Sequence, residues 1–369
     1  MALDVKTGKR RWHYQFVHHD IWDYDTPMAP NLLDVTVDGK PRKVIAATTK
    51  QGFVYVLDRQ TGEPIWPIVE TPVMGSEVPG EKPWPTQPIP SKPAPYSQQG
   101  LVESDLIDYT PAIKDSALKL AKKCRMGPYF IPAALADGTG KSGFKCGWYA
   151  PGASGGVNID GGAAADPETG MLYVGSQSGL STIQVQKDPC SEFPYSSVHD
   201  SCGLLGALPA PPGYTPPAEQ PGGFSRRGGN SRIGGISILK PKEYGGVTAY
   251  NLNSGDKAWW IPNGGWITQT SKDPLFAGVN LPPAAPGGQA QIITTRTLVI
   301  YGTGRNGGVP DGKPMLFAVD KKTGKQVGAV EIPSKTTAVP MTFMHQGKQY
   351  IVFAIGAEEN TRLVALTLP

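Results

Sequence analysis

The sequence predicts an all-β protein with the architecture of a β-propeller, in which small sheets stand around a central axis. Three observations predict it: a short motif recurs along the chain, apolar runs flank its copies, and turn-forming residues are abundant. Gly (46) and Pro (37) together make up nearly a quarter of the 369 residues. Hydrophobic residues at 39% still leave enough apolar surface for a core.

The recurring motif is a turn followed by a tryptophan. A small or aliphatic residue comes first, then Asp or Asn two positions on, then Thr/Ser-Gly, then Trp four residues after that Gly. Asp or Asn opens such a turn by bonding to nearby backbone, and Gly adopts the positive φ that closes it. The copies are ALDVKTGKRRW (2–12), VLDRQTGEPIW (56–66), AYNLNSGDKAW (249–259), AVDKKTGKQVG (318–328, with Gly328 in place of Trp) and ADPETGMLYV (165–174, the turn alone).

The runs that flank these turns are rich in Val, Ile, Tyr and Phe, as strands are. Several are apolar on both faces, so each sheet must be covered on both sides, and radially stacked sheets meet that requirement. The repeated Trp would then lie between neighbouring sheets; the alternative is a β-sandwich with coincidental turns. The runs are KVIAATT (43–49), GFVYVLD (52–58), MLYVGS (171–176), TLVIYGT (297–303), YIVFAIG (350–356) and LVALTL (363–368).

The repeats predict one partial propeller domain over residues 1–369, with about four sheets. Closed propellers have up to eight blades, so this amounts to about half a ring. Two long insertions interrupt the pattern and would lie as irregular loops over a binding face. The predicted segments are a blade end at 1–12, blades at about 14–66, 150–260, 286–330 and 336–369, and insertions at 67–149 and 180–243.

One short helix is predicted in the first insertion. Thr110 can cap it, Pro111 can be its first residue, and Gly127 would end it. One face of this helix would be apolar, formed by Ile113, Ala117, Leu120, Ala121 and Cys124. The second insertion contains ALPAPPGYTPPAEQPGG (207–223), which has too many prolines and glycines to pack as regular structure.

Composition argues against several functions. The net charge is +4 without a basic run, so the chain has no electrostatic footprint for nucleic acid or a membrane surface. No run approaches the roughly 18 apolar residues of a membrane span. Met1 leads directly into the first turn without a secretory signal, so we expect the chain to be part of a longer protein.

The four cysteines lie far from the spacing of zinc or c-type haem motifs. Cys190 and Cys202 could close a loop, as could Cys124 and Cys146, and the alternative is four unrelated thiols. Disulfides would require an oxidising compartment.

The segment HHDIWDYD (18–25) follows the first tryptophan repeat and concentrates side chains that can bind a metal or transfer a proton. If the segment is extended, Asp23 and Asp25 face the same way. By itself the cluster would more simply be a solvated acidic loop, with His18 and His19 as surface or packing residues.

Together, the tryptophan repeats and HHDIWDYD resemble the pyrroloquinoline quinone (PQQ)-dependent alcohol and sugar dehydrogenases, and more narrowly their glucose/quinate branch. The resemblance covers the C-terminal half of the family's propeller domain. It implies an eight-bladed quinoprotein propeller in the periplasm. It also implies that the protein oxidises an alcohol, polyol or sugar hydroxyl with PQQ and a divalent ion, usually calcium, and passes electrons to a quinone or a cytochrome.

The resemblance assigns roles to four residues. Asp23 matches the family's catalytic Asp, the general base that accepts a proton as hydride leaves carbon, and lies beside the metal there. Asp25 would be a second metal ligand, although an acid at this position does not distinguish calcium from magnesium or a rare-earth ion. Lys50 matches a PQQ-contacting lysine, whose charge would stabilise the oxygen of the reduced quinone. Asn158, in the glycine-rich PGASGGVNIDGG (151–162), matches an asparagine that bonds to the cofactor.

Several parts of the family's site have no counterpart in this sequence, including a metal-binding Glu and the aromatic floor under the quinone. A hard divalent ion takes six or more oxygen ligands, so this chain would bind PQQ poorly unless an N-terminal half or a second copy completes the site. The alternative function is a non-enzymatic scaffold like the outer-membrane assembly lipoproteins, which use the same repeats.

Overall fold

The structure is a computed structural model. Strands dominate it and one α-helix is present among the described residues, so the predicted all-β fold with a single short helix is confirmed. None of the described helices is long and apolar enough to cross a bilayer. The structure describes residues 1–152, 156–157, 159, 161–196, 202, 207–215, 231–241, 245–285, 288–304, 313–356 and 360–367.

The strands are short, and most follow the apolar runs of the sequence. In the first half they are β1 (Ala2–Leu3), β2 (Arg10–Trp12), β3 (Asn31–Val37), β4 (Lys40–Thr48), β5 (Val54–Asp58), β6 (Ile68–Pro72), β7 (Thr86–Pro90), β8 (Ala134–Leu135), β9 (Gly147–Tyr149), β10 (Ala163–Asp166), β11 (Met171–Ser176) and β12 (Ser181–Lys187). In the second half they are β13 (Tyr195–Ser196), β14 (Arg232–Ile233), β15 (Ile236–Ser237), β16 (Gly246–Asn251), β17 (Asp256–Pro262), β18 (Ile292–Thr294), β19 (Leu298–Gly302), β20 (Met315–Asp320), β21 (Gln326–Glu331), β22 (Met341–His345), β23 (Lys348–Ile355) and β24 (Arg362–Thr367). The helix α1 is Pro111–Ala121, and two 3-10 turns are Glu103–Asp105 and Pro274–Phe276.

Four antiparallel sheets form the framework. They have the orders β3-β4-β5, β10-β11-β16-β17, β18-β19-β20-β21 and β22-β23-β24. A buried cluster joins the first two sheets through Val35, Val56 and Leu172, and another joins the second and third through Tyr173, Val247 and Val299. Strands apolar on both faces are therefore covered on both sides. Where one blade of a ring ends and the next begins stays a prediction.

Three repeat tryptophans lie between neighbouring sheets, each against the turn glycine of a later repeat. The indole of Trp12 donates a hydrogen bond to Arg59 O at 3.2 Å, and a Cβ on Gly62 would lie 2.7 Å from its ring. Trp259 donates to Lys321 O at 3.2 Å in the same way. The rings of Trp259 and Trp66 would lie 2.9 Å from a Cβ on Gly324 and Gly255, respectively. Only glycine permits this approach, and the positive φ of each of these turns favours it too.

The third and last sheets meet without an indole. Gly328 occupies the tryptophan position, and a Cβ there would meet nothing within 4 Å. Instead Thr336 bridges Gly304 and Ile355, and Ile300 and Phe353 share a small buried cluster. All residues of β21 and β22 are exposed, so neither strand contributes a buried residue to the contact between these two sheets.

The two insertions contain more regular structure than the sequence indicated. β6 and β7 form a hairpin, and β12 of the second insertion pairs with β8 and β9 of the first. β8, β9 and β12 were missed because their pairing partners lie far away in the sequence. Both disulfides are present, Cys124–Cys146 and Cys190–Cys202. The prolines and glycines of residues 207–215 form no strand or helix, as predicted, while the rest of that stretch lies outside the described residues.

The predicted start of the helix is confirmed and its predicted end is wrong. Thr110 caps it by accepting the Ile113 N–H at 3.2 Å, with Pro111 in the first turn. The helix ends at Ala121 rather than near Gly127. In a longer helix the Arg125 N–H would donate to Ala121 O, but it donates to Cys146 O at 2.8 Å, and Ala121 O accepts the Trp148 indole N–H at 2.6 Å. A cap is a local signal, whereas this end depends on a residue that is distant in sequence.

Candidate functional site

The candidate site is built around the turn that contains HHDIWDYD. The Asp20 carboxylate accepts the backbone N–H groups of Trp22 at 2.8 Å and Tyr24 at 2.7 Å, which folds the segment into a tight turn. Burial raises the pKa of Asp20, against the effect of these two hydrogen bonds. Asp23 lies within the turn with φ +62°, so the segment is not extended and that assumption of the sequence analysis is wrong.

Two buried aromatic residues fix the turn to the protein. Trp22 donates its indole N–H to Ile131 O at 2.9 Å, and its own carbonyl accepts the Tyr149 hydroxyl. Tyr24 donates its hydroxyl to Pro151 O at 3.2 Å. Alternation between buried aromatic and exposed acidic residues leaves the carboxylates on the outer side of this anchor.

Lys50 approaches the same turn from the end of β4. Its backbone N–H lies 3.5 Å from Asp25 O, and its carbonyl accepts the Val157 N–H at 2.8 Å. A Cβ on Gly156 would lie 2.5 Å from that carbonyl, so a side chain there would push the two segments apart. Lys50 therefore lies between the acidic turn and the glycine-rich segment.

The Lys50 ammonium bridges the two carboxylates. Its Nζ lies 2.9 Å from Asp23 Oδ2 and 2.5 Å from Asp25 Oδ1. Burial alone would lower the pKa of Lys50, but the hydrogen bonds and charges of Asp25 and Asp23 outweigh it and raise the pKa. The side chain of Lys50 is 12% exposed, whereas those of Asp23 and Asp25 are 65% and 58% exposed. The ammonium of Lys50 is thus largely buried, whereas the carboxylates of Asp23 and Asp25 remain open to a ligand.

The structure brings together three of the four predicted site residues: Asp23, Asp25 and Lys50. Asn158 lies outside the described residues, as does Gly155. Among the residues that the structure describes, no group of three or more His, Cys, Asp or Glu side chains is arranged to hold a metal ion. Asp23 and Asp25 are hard oxygen donors of the right kind for calcium, but two carboxylates are fewer than such an ion requires.

Sequence reasoning missed two contributors to this geometry. Asp20 was counted as a possible ligand, yet its carboxylate accepts hydrogen bonds from the backbone N–H groups of Trp22 and Tyr24. The position of Asp20, two and four residues before these N–H groups, could have indicated the turn. The glycines at 155 and 156 predict a close approach of backbone, but no local pattern indicates that Gly156 approaches Lys50, about a hundred residues away.

The two histidines lie in a separate cleft of about 460 Å³. His18 Nε2 lies 3.0 Å from Glu70 Oε1, while Thr86 donates to Glu70 Oε2 at 2.6 Å. The pKa of Glu70 is lowered, because the hydrogen bonds from Thr86 and His18 outweigh the effect of burial. The cleft is lined by Gln15, His18, His19, Glu70, Trp84 and Thr86.

Comparison with known proteins identifies one family. A family model described as glucose/ethanol/alcohol dehydrogenase, beta-propeller domain, of the PQQ type, matches residues 1–351. The chain is 29% identical to the quinate/shikimate dehydrogenase (quinone) of Acinetobacter baylyi over 98% of this chain and 42% of that protein. It is 27% identical to the glycerol dehydrogenase large subunit of Gluconobacter oxydans over 100% of this chain and 48% of that protein.

Among solved structures, the chain is similar to the quinohemoprotein alcohol dehydrogenase of Comamonas testosteroni. The TM-score is 0.47 and the identity 22%, over 96% of this chain and 38% of that one. The chain therefore spans less than half the length of each of these relatives.

Proposed function

The chain belongs to the PQQ-type glucose/ethanol/alcohol dehydrogenase β-propeller family, and from that premise we propose that it forms part of an enzyme that oxidises an alcohol, polyol or sugar hydroxyl. The observation that carries the proposal is the bridge from Lys50 to Asp23 and Asp25, because it presents a fixed cation beside two solvent-accessible carboxylates. The names of the relatives, which include quinate/shikimate and glycerol dehydrogenases, favour a polyhydroxylated substrate.

Asp23 is the general base in this proposal. A carboxylate that is held rigidly but remains open to solvent can accept the proton of a substrate hydroxyl. The Asp20 turn and the Lys50 hydrogen bond fix its position, so little reorganisation is needed as the proton moves. Asp25 shares Lys50 with Asp23 and helps to hold the ammonium in place.

Lys50, Asp23 and Asp25 would hold the cofactor and its metal, and Asn158 would be a further cofactor contact. PQQ, when bound, accepts the hydride of the substrate carbon. An ammonium fits the oxygens of an anionic quinone, and two carboxylates fit part of the coordination of a divalent ion, with calcium proposed ahead of magnesium or a lanthanide. The remaining ligands would come from other blades, and electrons would leave to a quinone or a cytochrome.

The proposal also concerns the compartment. The two disulfides favour an oxidising environment, and we propose the periplasm. The alternative function is a propeller scaffold without catalysis, which would have no need for the bridge between Lys50 and the carboxylates.

The test compares Asp23→Asn with Asp34→Asn in an assembly that contains the remaining blades, supplied with PQQ, Ca²⁺ and a dye as electron acceptor. Asp34 is a matched control, because its side chain is 67% exposed and pairs with Arg59 at 2.8 Å. We expect Asp23→Asn to reduce kcat by a factor of about a hundred or more and Asp34→Asn to leave it unchanged. Full activity in Asp23→Asn would remove the assigned base. Absence of both PQQ binding and turnover over a broad panel of alcohols and sugars would favour the scaffold.

A further inference from the structure

Three hydrogen bonds that hold the acidic turn (HHDIWDYD) lead to one short stretch of the chain. Ile131 O accepts the Trp22 indole N–H at 2.9 Å, and the Tyr149 hydroxyl donates to Trp22 O. Pro151 O accepts the Tyr24 hydroxyl at 3.2 Å. This stretch therefore holds the two residues on either side of the carboxylate that is assigned as the general base.

The disulfide Cys124–Cys146 closes the part of the chain that provides these contacts. The two cysteines are 22 residues apart in sequence, and the loop between them contains Ile131. Arg125 N–H donates to Cys146 O at 2.8 Å, and a bridge joins Arg125 to the first residue of β9. Because β9 ends at Tyr149, the disulfide fixes both the loop and the strand that support the turn.

The loop also holds one aromatic residue in an unfavourable conformation. Phe130 has φ +43°, which a bulky residue adopts only where its surroundings impose it. Its buried ring packs edge-on against Trp22 and Tyr24, with ring centroids 5.0 and 5.5 Å apart. We expect Phe130 to leave this conformation when the loop is opened, and its ring would then no longer support these two residues.

We propose that the Cys124–Cys146 disulfide is a positioning element for Asp23. By closing the loop, it holds the aromatic residues on either side of this carboxylate and keeps Asp23 Oδ2 at 2.9 Å from Lys50 Nζ. This role rests on the proposed function, in which Asp23 is the general base.

The second disulfide, Cys190–Cys202, provides a matched control. Its cysteines are 12 residues apart, and loops of these two lengths stabilise a fold by similar amounts. Hydrogen bonds at Cys190 run to nearby residues: Leu208 N–H donates to Cys190 O at 2.8 Å, and Cys190 N–H donates to Asp188 Oδ1 at 3.1 Å. Loss of either disulfide should thus affect overall stability alike, but only loss of the first should loosen the acidic turn.

The test measures hydrogen exchange by mass spectrometry in the whole chain. Cys124→Ser/Cys146→Ser is compared with the same double change at the second disulfide. The reporters are the backbone N–H groups of Trp22 and Tyr24, which donate to the Asp20 carboxylate at 2.8 and 2.7 Å. Strands β19 and β20 serve as the reference, because their paired N–H groups report on unfolding of the third sheet.

We expect the first double variant to raise exchange at the reporters at least about tenfold relative to the reference strands, since local loosening exposes only the nearby amides. The control variant should leave this ratio unchanged. Equal exchange at the reporters in the two variants would overturn the proposal. A rise at the reporters no larger than that in the reference strands would overturn it too, because it would show unfolding of the whole molecule.

A milder substitution decides the matter if the serine variant does not fold. Tyr149→Phe removes the hydroxyl that donates to Trp22 O and leaves the disulfide intact. Tyr173→Phe is its control, because it removes a buried hydroxyl that donates to Lys321 O at 3.0 Å. Exchange at the reporters should rise in Tyr149→Phe and stay constant in Tyr173→Phe. Equal exchange in these two variants would remove the route from β9 to the turn.

Kinetics separate positioning from stability. In the assembly that contains the remaining blades, Cys124→Ser/Cys146→Ser should lower kcat at least about tenfold and change KM by less than about twofold, because the base is displaced while substrate contacts remain. An unchanged kcat would overturn the positioning role. Hydrogen exchange does not depend on turnover, so an unaltered assembly without turnover would contradict the proposed oxidation and not the link between the disulfide and the turn.

Discussion

Two lysine–aspartate pairs in this molecule share their chemistry and differ in their surroundings. Lys321 Nζ lies 2.6 Å from Asp166 Oδ2, and the two side chains are only 6% and 5% exposed. Lys50 is similarly enclosed, but its partners Asp23 and Asp25 are more than half exposed. A carboxylate buried with its partner can only hold sheets together, whereas a carboxylate open on one side remains available to a ligand.

The buried pair joins two sheets. Asp166 ends β10 in the second sheet, and Lys321 follows β20 in the third. The carbonyl of Lys321 also accepts hydrogen bonds from Tyr173 at 3.0 Å and Trp259 at 3.2 Å. The pair is therefore part of the same junction as one of the interleaved indoles, and the comparison predicts that stability depends on it far more than on Lys50.

The largest expected effect is that of Lys321→Met. It leaves Asp166 as an unpaired buried charge, which costs about 3–5 kcal/mol of unfolding free energy. Chemical denaturation followed by circular dichroism measures the loss. A cost below about 1 kcal/mol would show that solvent reaches the pair and would break the comparison.

A second substitution should recover part of that loss. In the double variant Asp166→Asn/Lys321→Met no charge remains buried. The loss of unfolding free energy in the double variant should therefore be smaller than the sum of the losses in the two single variants, by about 1–3 kcal/mol. The four denaturation curves of a double-mutant cycle measure this coupling. Strict additivity would mean that the two side chains do not interact across the junction.

The stability that the pair of Asp166 and Lys321 contributes should depend on pH. Burial alone would raise the pKa of Asp166, but hydrogen bonds from Lys321 and Thr169 lower it below its ordinary value. The folded state therefore gains stability from Asp166 above the pKa of an unfolded aspartate, and this gain disappears as the pH falls through the lower folded value. The difference in stability between the unaltered protein and Asp166→Asn, measured from pH 6 to pH 2, should shrink only at the acidic end. A constant difference would contradict the assigned shift.

The smallest expected effect is that of Lys50→Met on stability. Because its carboxylate partners are exposed and screened by water, the loss should be about 1 kcal/mol or less. The same denaturation experiment measures it, with Lys321→Met as the reference. A loss comparable to that of Lys321→Met would assign Lys50 a structural role and remove the contrast between the two pairs.

The sequence predicted the framework well because its signals are local. The turn motif, the apolar runs and the Thr110 cap each depend on a few neighbouring residues, and the strands and the start of the helix lie close to where these patterns indicate. The helix end and the sheet made by the insertions depend on Trp148 and on β12, which no local pattern reveals.

The site was predictable only through the family resemblance. Asp23 and Lys50 are 27 residues apart, and composition or periodicity gives no reason to pair them. The turn formed by Asp20, which positions the carboxylates, was missed. The acidic cluster was interpreted as a set of possible ligands, and hydrogen bonds from the backbone to Asp20 were not considered. The role of Asn158 stays a prediction.

The left-handed backbone of Asp23 limits which side chains can replace it. Among residues other than glycine, asparagine and aspartate tolerate this conformation best, so asparagine can enter without disturbing the main chain. Glycine would suit the turn better than either, yet it would carry no charge. Aspartate at this position is therefore in a less favourable backbone conformation than glycine would be. Because asparagine has nearly the same shape as aspartate, Asp23→Asn separates the effect of the charge from that of the shape.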